Sequence, residues 1–410
     1  MAERYSTLAA LIAAVRAEEG ITQSAAARQT GLGRSVVAER VSELERAGLL
    51  RSLGLAPSTG GRAAHRLALN SAVGLVIGID FFSWGIVVGT ADLSGTIIKV
   101  GEITTEPAAE PEHLLSTVDR IISDHLAELS NAGVLLGIGV GLPGPVNFDT
   151  GTPIATPVVD GWAGYPVRAW LQERWEVPVW VDNRTNLLAL AELRANPAAS
   201  RSGNVLYFGA TNDVAAALVV EGRIHRGTHG LAGSIGHVRA ADSRDVACRC
   251  GRTGCLEALV GGWALARDGA ALADAGASPL LRQIREQSGR IRPLDITAAA
   301  NGGDAAARAL MTQALEHIGH SLAPMIALFA PEVVIIGGGL TAAGDWVLEP
   351  IRAAVASRTL SGSTADCVLE LSVVNGPHGA MTGAAQLALD QLLSRDGLRE
   401  LLQRLSADRG

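Results

Sequence analysis

His237, Cys248, Cys250 and Cys255 fall within nineteen residues, spaced H-x10-C-x-C-x4-C. Three thiols and an imidazole make a complete tetrahedral donor set for Zn2+, and four protein ligands leave no open coordination position. The spacing therefore predicts a structural metal that orders a loop and does not activate water. Its effect on function is indirect, through whatever His237 and Glu257 line. Gly251 and Gly254 supply the tight turns of such a knuckle. The plainer alternative is a cluster of buried free thiols beside a histidine, but three of the four cysteines within eight residues weigh against it. Cys367, the fourth, reads as a small buried hydrophobe. So few cysteines in 410 residues exclude a disulfide-built scaffold.

The chain is 48% hydrophobic and only 18% charged, the composition of a folded protein of several domains. Its net charge of −7 is unevenly spread. Residues 1–70 hold nine Arg against six acids, a balance of +3, which leaves −10 for residues 71–410. A small basic head on a large acidic body is the asymmetry of a DNA reader joined to something else. Ala9–Val15 is too short and too soon followed by charge for a secretory signal. The apolar stretch Ala72–Ala91 carries Asp80 at its centre and reads as paired strands, not a membrane span. The expectation is a cytoplasmic protein with no membrane partner.

In the head, Leu8, Leu11, Ile12 and Val15 fall on one face of a helix over Tyr5–Ala17. Thr22 can cap a short helix over Gln23–Gln29, and Gly31-Leu32-Gly33 breaks it. A third helix begins near Ser35, with Val37, Val41 and Leu44 inward and Arg34, Ser35, Glu39 and Arg40 outward. Helix, turn and helix with polar residues at the start of the second is the layout that enters a major groove. Gly48–Arg51 and Arg66–Leu69 then read as strands flanking Ser58-Thr59-Gly60-Gly61-Arg62, a wing with a basic tip. Arg34, Ser35, Arg40 and Arg62 are the candidate DNA contacts. The alternative is a three-helix docking module whose arginines are merely solvated.

In the body, Gly139-Val140-Gly141-Leu142-Pro143-Gly144 fits G-x-G-x-x-G, with Asp160 at a suitable distance. The dinucleotide motif needs a helix to start in that turn, and Pro143 and Pro145 oppose one. Val333–Ile336 followed by Gly337-Gly338-Gly339 leaves two readings open. Either backbone amides face a phosphate before a helix, or a close crossing admits only glycine.

Together these residues resemble the ROK family of repressors, open reading frames and sugar kinases, over essentially residues 5–395. The resemblance rests on the STGGR wing, GVGLPGPV at 139–146, VDNRTN at 181–186 and GLAGSIGH at 230–237. It rests also on CRCGRTGCLE at 248–257, IIGGG at 335–339 and GAMTGAA at 379–385. It implies an α/β fold: an N-terminal winged helix-turn-helix, then a two-lobed, actin-like ATPase body of the ribonuclease H-like kind. The division expected is 1–70 for the head and 71–410 for the body. Lobe one covers about 71–190 plus the C-terminal helix, and lobe two about 191–385 with the zinc knuckle.

The kinases of that family need two glycine-rich phosphate loops and a catalytic carboxylate. Phe82 and Ser83 stand where the first loop's glycines belong, and Thr211-Asn212-Asp213 replaces the second, with Asp213 placing negative charge beside phosphate. Arg184 follows Asn183 where the family pattern has Asp, and a guanidinium cannot accept a hydroxyl proton. The chain is therefore expected to have no catalytic residue and no kinase activity. The resemblance carries over Asn183, His237 and Glu257 as ligand contacts, with Ser234 where a Glu is expected. Arg184 has two readings, a partner for an anionic ligand or half of an internal salt bridge. The expected function is a ligand-responsive repressor of carbohydrate genes, bound as a homodimer or tetramer to an inverted-repeat operator in double-stranded DNA. Its effector is a sugar or sugar phosphate. The alternatives are a regulator controlled by a protein partner and a sugar kinase with an accessory domain.

Overall fold

The computed structural model describes residues 2–55, 65–104, 110–154, 161–240, 245–360, 362, 367–374 and 378–407. Arg62, the rest of the wing tip and Asp160 lie outside the described residues.

The head is three helices, Ala2–Ala17, Gln23–Thr30 and Arg34–Arg46, beside an antiparallel sheet. In that sheet His65–Leu69 lies between Ile21–Thr22 and Leu50–Leu55. Thr22 caps the second helix, its Oγ1 accepting from the Ala25 amide at 3.3 Å. Gly31 ends that helix with φ 69°, a conformation glycine adopts without strain. Leu8, Leu11, Ile12 and Val15 are buried as their spacing requires, against Val37, Val41 and Leu44.

The body contains two five-stranded sheets built to one plan. In the first, Gly74–Phe82, Gly85–Asp92 and Ile97–Thr104 form an antiparallel meander. Val134–Leu142 and then Val179–Asn183 join it in parallel. The second repeats this with Val205–Ala210, Val214–Val220 and Arg223–His225, extended by Val333–Gly338 and Val368–Leu371. Parallel strands place their carboxyl ends together, and ligands bind outside such ends. Phe82, Leu142, Asn183, Ala210 and Gly338 are those ends, and the cleft forms among them.

No helix begins after Gly141; a short strand, Val146–Asn147, follows instead. Gly139 has a packing reason, since a Cβ there would sit 1.9 Å from the carbonyl of Ala384. The 337–339 run divides in the same way. A Cβ on Gly337 would meet the Tyr207 hydroxyl at 1.9 Å, and a 3-10 turn over Gly339–Ala343 follows where an α-helix was expected. The close crossing explains Gly337, whereas Gly339 lines a cavity.

Gly379–Leu392 packs on the first sheet from its first turn, and its Ala380, Ala384 and Leu387 also share a cluster with Val205, Tyr207, Val333 and Ile335 of the second. Arg395–Ala407 packs on the head's first helix through Leu398, Leu401 and Leu405, and it also touches lobe one, where Arg404 donates to the Glu176 carbonyl at 2.6 Å. Head and first lobe thus share one apolar cluster, which also takes in Val76, Leu136, Ala388 and Leu392. Among the described residues, no helix is long and apolar enough to cross a membrane.

Candidate functional site

The helix Arg34–Arg46 buries Val37, Val41 and Leu44 and leaves Arg34 and Ser35 exposed at its N-terminal end. Arg40 departs from expectation. Its side chain is only 15% exposed, with Nη2 2.9 Å from Glu39 and Nη1 on Glu43. Glu43 also accepts from Arg4 Nε at 2.8 Å. Burial opposes ionisation of Glu43, but the hydrogen bonds from Arg4 and Arg40 hold it below the usual carboxylate range. Arg40 is therefore committed within the head. Its i, i+3 spacing to Glu43 was the available signal, and the sequence reading passed over it. Arg28, at the end of the second helix, is an exposed cation that reading also omitted.

A cavity of about 680 Å³ opens between the lobes. Four expected ligand contacts line it together: Asn183, Ser234, His237 and Glu257. Asn183 caps the helix Arg184–Ala195, its Oδ1 accepting from the Thr185 amide at 2.7 Å. Its Nδ2 donates to the Gly144 carbonyl at 2.6 Å. Glu257 is almost fully buried, and burial pushes its carboxyl above the usual range. The Val214 amide and Trp263 Nε1 donate to it at 3.2 and 3.3 Å. The hydroxyl of Ser234 donates to the Leu231 carbonyl at 3.0 Å.

Arg184 is not brought to these four. Its Nε lies 2.9 and 3.0 Å from the two oxygens of Asp80, whose side chain is fully buried. Burial pushes Asp80 up to about 6, opposed by the charge and hydrogen bond of Arg184. The internal salt bridge is the reading this geometry realises. The rest of Arg184 faces a smaller cavity of about 220 Å³, lined also by Phe82, Ser83, Trp84 and residues 211–213. Here the turn after Phe82 touches the loop 211–213, with Asn212 Nδ2 donating to Ser83 Oγ at 3.2 Å across the cleft.

The Cys/His cluster is assembled. The donor atoms of His237, Cys248, Cys250 and Cys255 all lie within 4.8 Å of one another. Cys250 and Cys255 sulfurs are 3.6 Å apart, and Cys248 Sγ is 3.7 Å from His237 Nδ1. A tetrahedral ion about 2.3 Å from sulfur requires ligand separations of about 3.8 Å, so these residues fit a metal. Burial pushes the Cys255 thiol up to about 12 and raises Cys248 as well, whereas at Cys250 burial is outweighed by hydrogen bonds that lower it. A bound cation would favour all three thiolates. His237 turns Nδ1 to the thiols and Nε2 toward Glu257, 3.9 Å away. One ring therefore joins the cluster to the cleft.

Comparison with known proteins places both parts. The ROK family profile matches residues 76–391, and a winged helix-turn-helix DNA-binding profile matches residues 7–51. The glucokinase of Halalkalibacterium halodurans is 30% identical over 280 residues, covering 67% of this chain and 83% of that protein. The xylose repressor of Caldicellulosiruptor bescii is 27% identical over 376 residues, covering 91% and 93%. The crystal structure of a ROK family transcriptional regulator, a homolog of the E. coli MLC protein, has a TM-score of 0.83. At 22% identity over 98% of this chain and 100% of that one, it shows a common fold. The chain belongs to the ROK family and carries an N-terminal winged helix-turn-helix domain.

Proposed function

We propose that this protein is a sequence-specific DNA-binding transcriptional repressor of carbohydrate genes, and that its cleft binds a sugar or sugar phosphate effector without phosphorylating it. The observation that carries this reading is the core common to the head and the first lobe. A lobe rearrangement set by ligand in the cleft is transmitted directly to the helices that face DNA. The size of that response is bounded by the ligand's differential affinity for the two arrangements. Loss of kinase activity is supported by Arg184, which occupies the expected carboxylate position and is held by Asp80. His237, Cys248, Cys250 and Cys255 hold Zn2+ as a closed structural site, and the ion fixes the ring that faces Glu257. Two copies of the chain present two heads to an inverted repeat.

The test is a gel shift on the gene's own upstream region, with and without sugars and sugar phosphates, beside a coupled ATPase assay on the same panel. A shift released by one compound with no ATP turnover is the expected result. No shift, or turnover at enzymatic rates, overturns the reading.

A further inference from the structure

The hairpin between strands Val205–Ala210 and Val214–Val220 has a three-residue loop, Thr211-Asn212-Asp213, closed by the Ala210–Val214 pair. Asp213 lines both the 680 Å³ and the 220 Å³ cavities. Its placement is tightly held. The Thr211 amide donates to the Asp213 carbonyl at 3.0 Å, and Thr211 Oγ1 donates to Asp213 Oδ1 at 2.9 Å. Oδ2 has no hydrogen-bond partner among the described residues. The next residue, Val214, donates its amide to Glu257 Oε2, which sets the two carboxyl groups on one wall of the larger cavity. The charge of Asp213 is felt at Arg184, at Asp80 and at Glu257.

We propose that Asp213 is a specificity-determining acceptor of this cleft. Its free Oδ2, beside Glu257, accepts hydrogen bonds from the hydroxyls of an uncharged polyhydroxy ligand and disfavours the phosphorylated form. The inference rests on the ligand-binding reading above and narrows it. A cation stands at 184 where the resemblance implies a carboxylate, and a carboxylate stands at 213 within the segment where it implies an uncharged glycine-rich loop. Arg184 spends its charge on Asp80 and is absent from the larger cavity, so it offers no counter-charge to a phosphate there. Arg252 lines that cavity too, but it is exposed. A carboxylate accepts hydroxyl hydrogen bonds that are charge-assisted and roughly twice as strong as neutral ones. The same carboxylate repels a phosphate brought into contact.

Titration calorimetry on the full chain with glucose, xylose, glucose 6-phosphate and xylose 5-phosphate tests this, using wild type, Asp213→Asn and Asp213→Ala. Melting curves and operator binding check that each variant is folded. The expected result is that wild type binds a free sugar more tightly than its phosphate. Both variants then weaken the free sugar by about 10- to 100-fold, as loss of a charge-assisted bond implies. The phosphate is unchanged or tightened, so the selectivity ratio collapses, which a purely structural role would not produce. Tighter binding of a sugar phosphate by wild type, or an unchanged ratio in folded variants, overturns the assignment to Asp213 and leaves the ligand reading standing. Binding of none of the four compounds by folded wild type removes both.

Discussion

Arg16 of the head's first helix donates Nη1 to Asp390 of the helix Gly379–Leu392 at 2.7 Å, and Nη2 to Gln386 at 3.0 Å. Arg194 holds the same Asp390 oxygen at 2.9 Å. Arg194 lies in the last turn of the helix that Asn183 caps at the cleft. One carboxylate thus ties the head to an element whose other end lines the cleft. Asp390→Asn is expected to leave operator binding within a few fold of wild type while weakening its response to effector. The fold should lose about 1–3 kcal/mol, since Arg16 is nearly buried and is left without its charge partner. Gel shifts with and without effector, alongside urea unfolding, measure both.

Arg34 and Arg40 should separate. Arg34 is exposed at the start of its helix, and Arg34→Ala is expected to weaken operator binding by about 10-fold or more with the melting temperature unchanged. Arg40→Ala removes the partner of Glu39 and Glu43, so its main effect should be a less stable head. Footprinting and melting curves on the two variants distinguish these outcomes. Arg62→Ala should lower affinity across all sequences and reduce the salt slope by about one, as a phosphate contact does.

On the proposed zinc reading, removing the metal is expected to loosen the cleft before it unfolds the chain. Cys250→Ser should lose the bound metal, measured by elemental analysis, and lower the melting temperature. It should also weaken sugar binding, because the His237 ring facing Glu257 loses its anchor. A stripped protein that binds sugar normally would separate cluster from cleft.

Arg184→Ala leaves Asp80 buried and unpaired, and is expected to cost about 3–5 kcal/mol at pH 7.5. The sign of its pH dependence follows from Asp80, whose carboxyl is pushed up to about 6 from its ordinary 3.8. A raised carboxyl stabilises the fold fully only below its unfolded value and loses that contribution as pH rises through the folded one. Loss of Arg184 pushes Asp80 up further, so the deficit of the variant should shrink as pH falls from 7.5 toward 5. Denaturant unfolding of both proteins across that range measures it.

Much of the site was readable because it is encoded in short covalent spacing. The knuckle needs only the separations of His237, Cys248, Cys250 and Cys255, and these place four donors within one coordination sphere. The head needs only the helical period of Leu8, Leu11, Ile12 and Val15, with Thr22 and Gly31 as punctuation. Phe82 and Asp213 stood out too, as bulky or charged residues in segments where the family resemblance implies glycine-rich loops.

What spacing could not decide was which charge meets which. Arg184 and Asp80 are 104 residues apart, and they meet because Val134–Leu142 pairs in parallel with Gly74–Phe82 on one side and with Val179–Asn183 on the other. Arg40 reads as outward by helical period, yet Arg4, from another helix, completes the acidic contact that draws it in. The common core of head and body depends on the last helix folding back onto the first. The amino-acid sequence by itself determined the Cys/His cluster, the helix-turn-helix and a cation at 184. Tertiary structure decided that Arg184 is neutralised and that Asp213 stands between two cavities, because the partner of a buried charge is set by remote segments meeting in a low-dielectric interior.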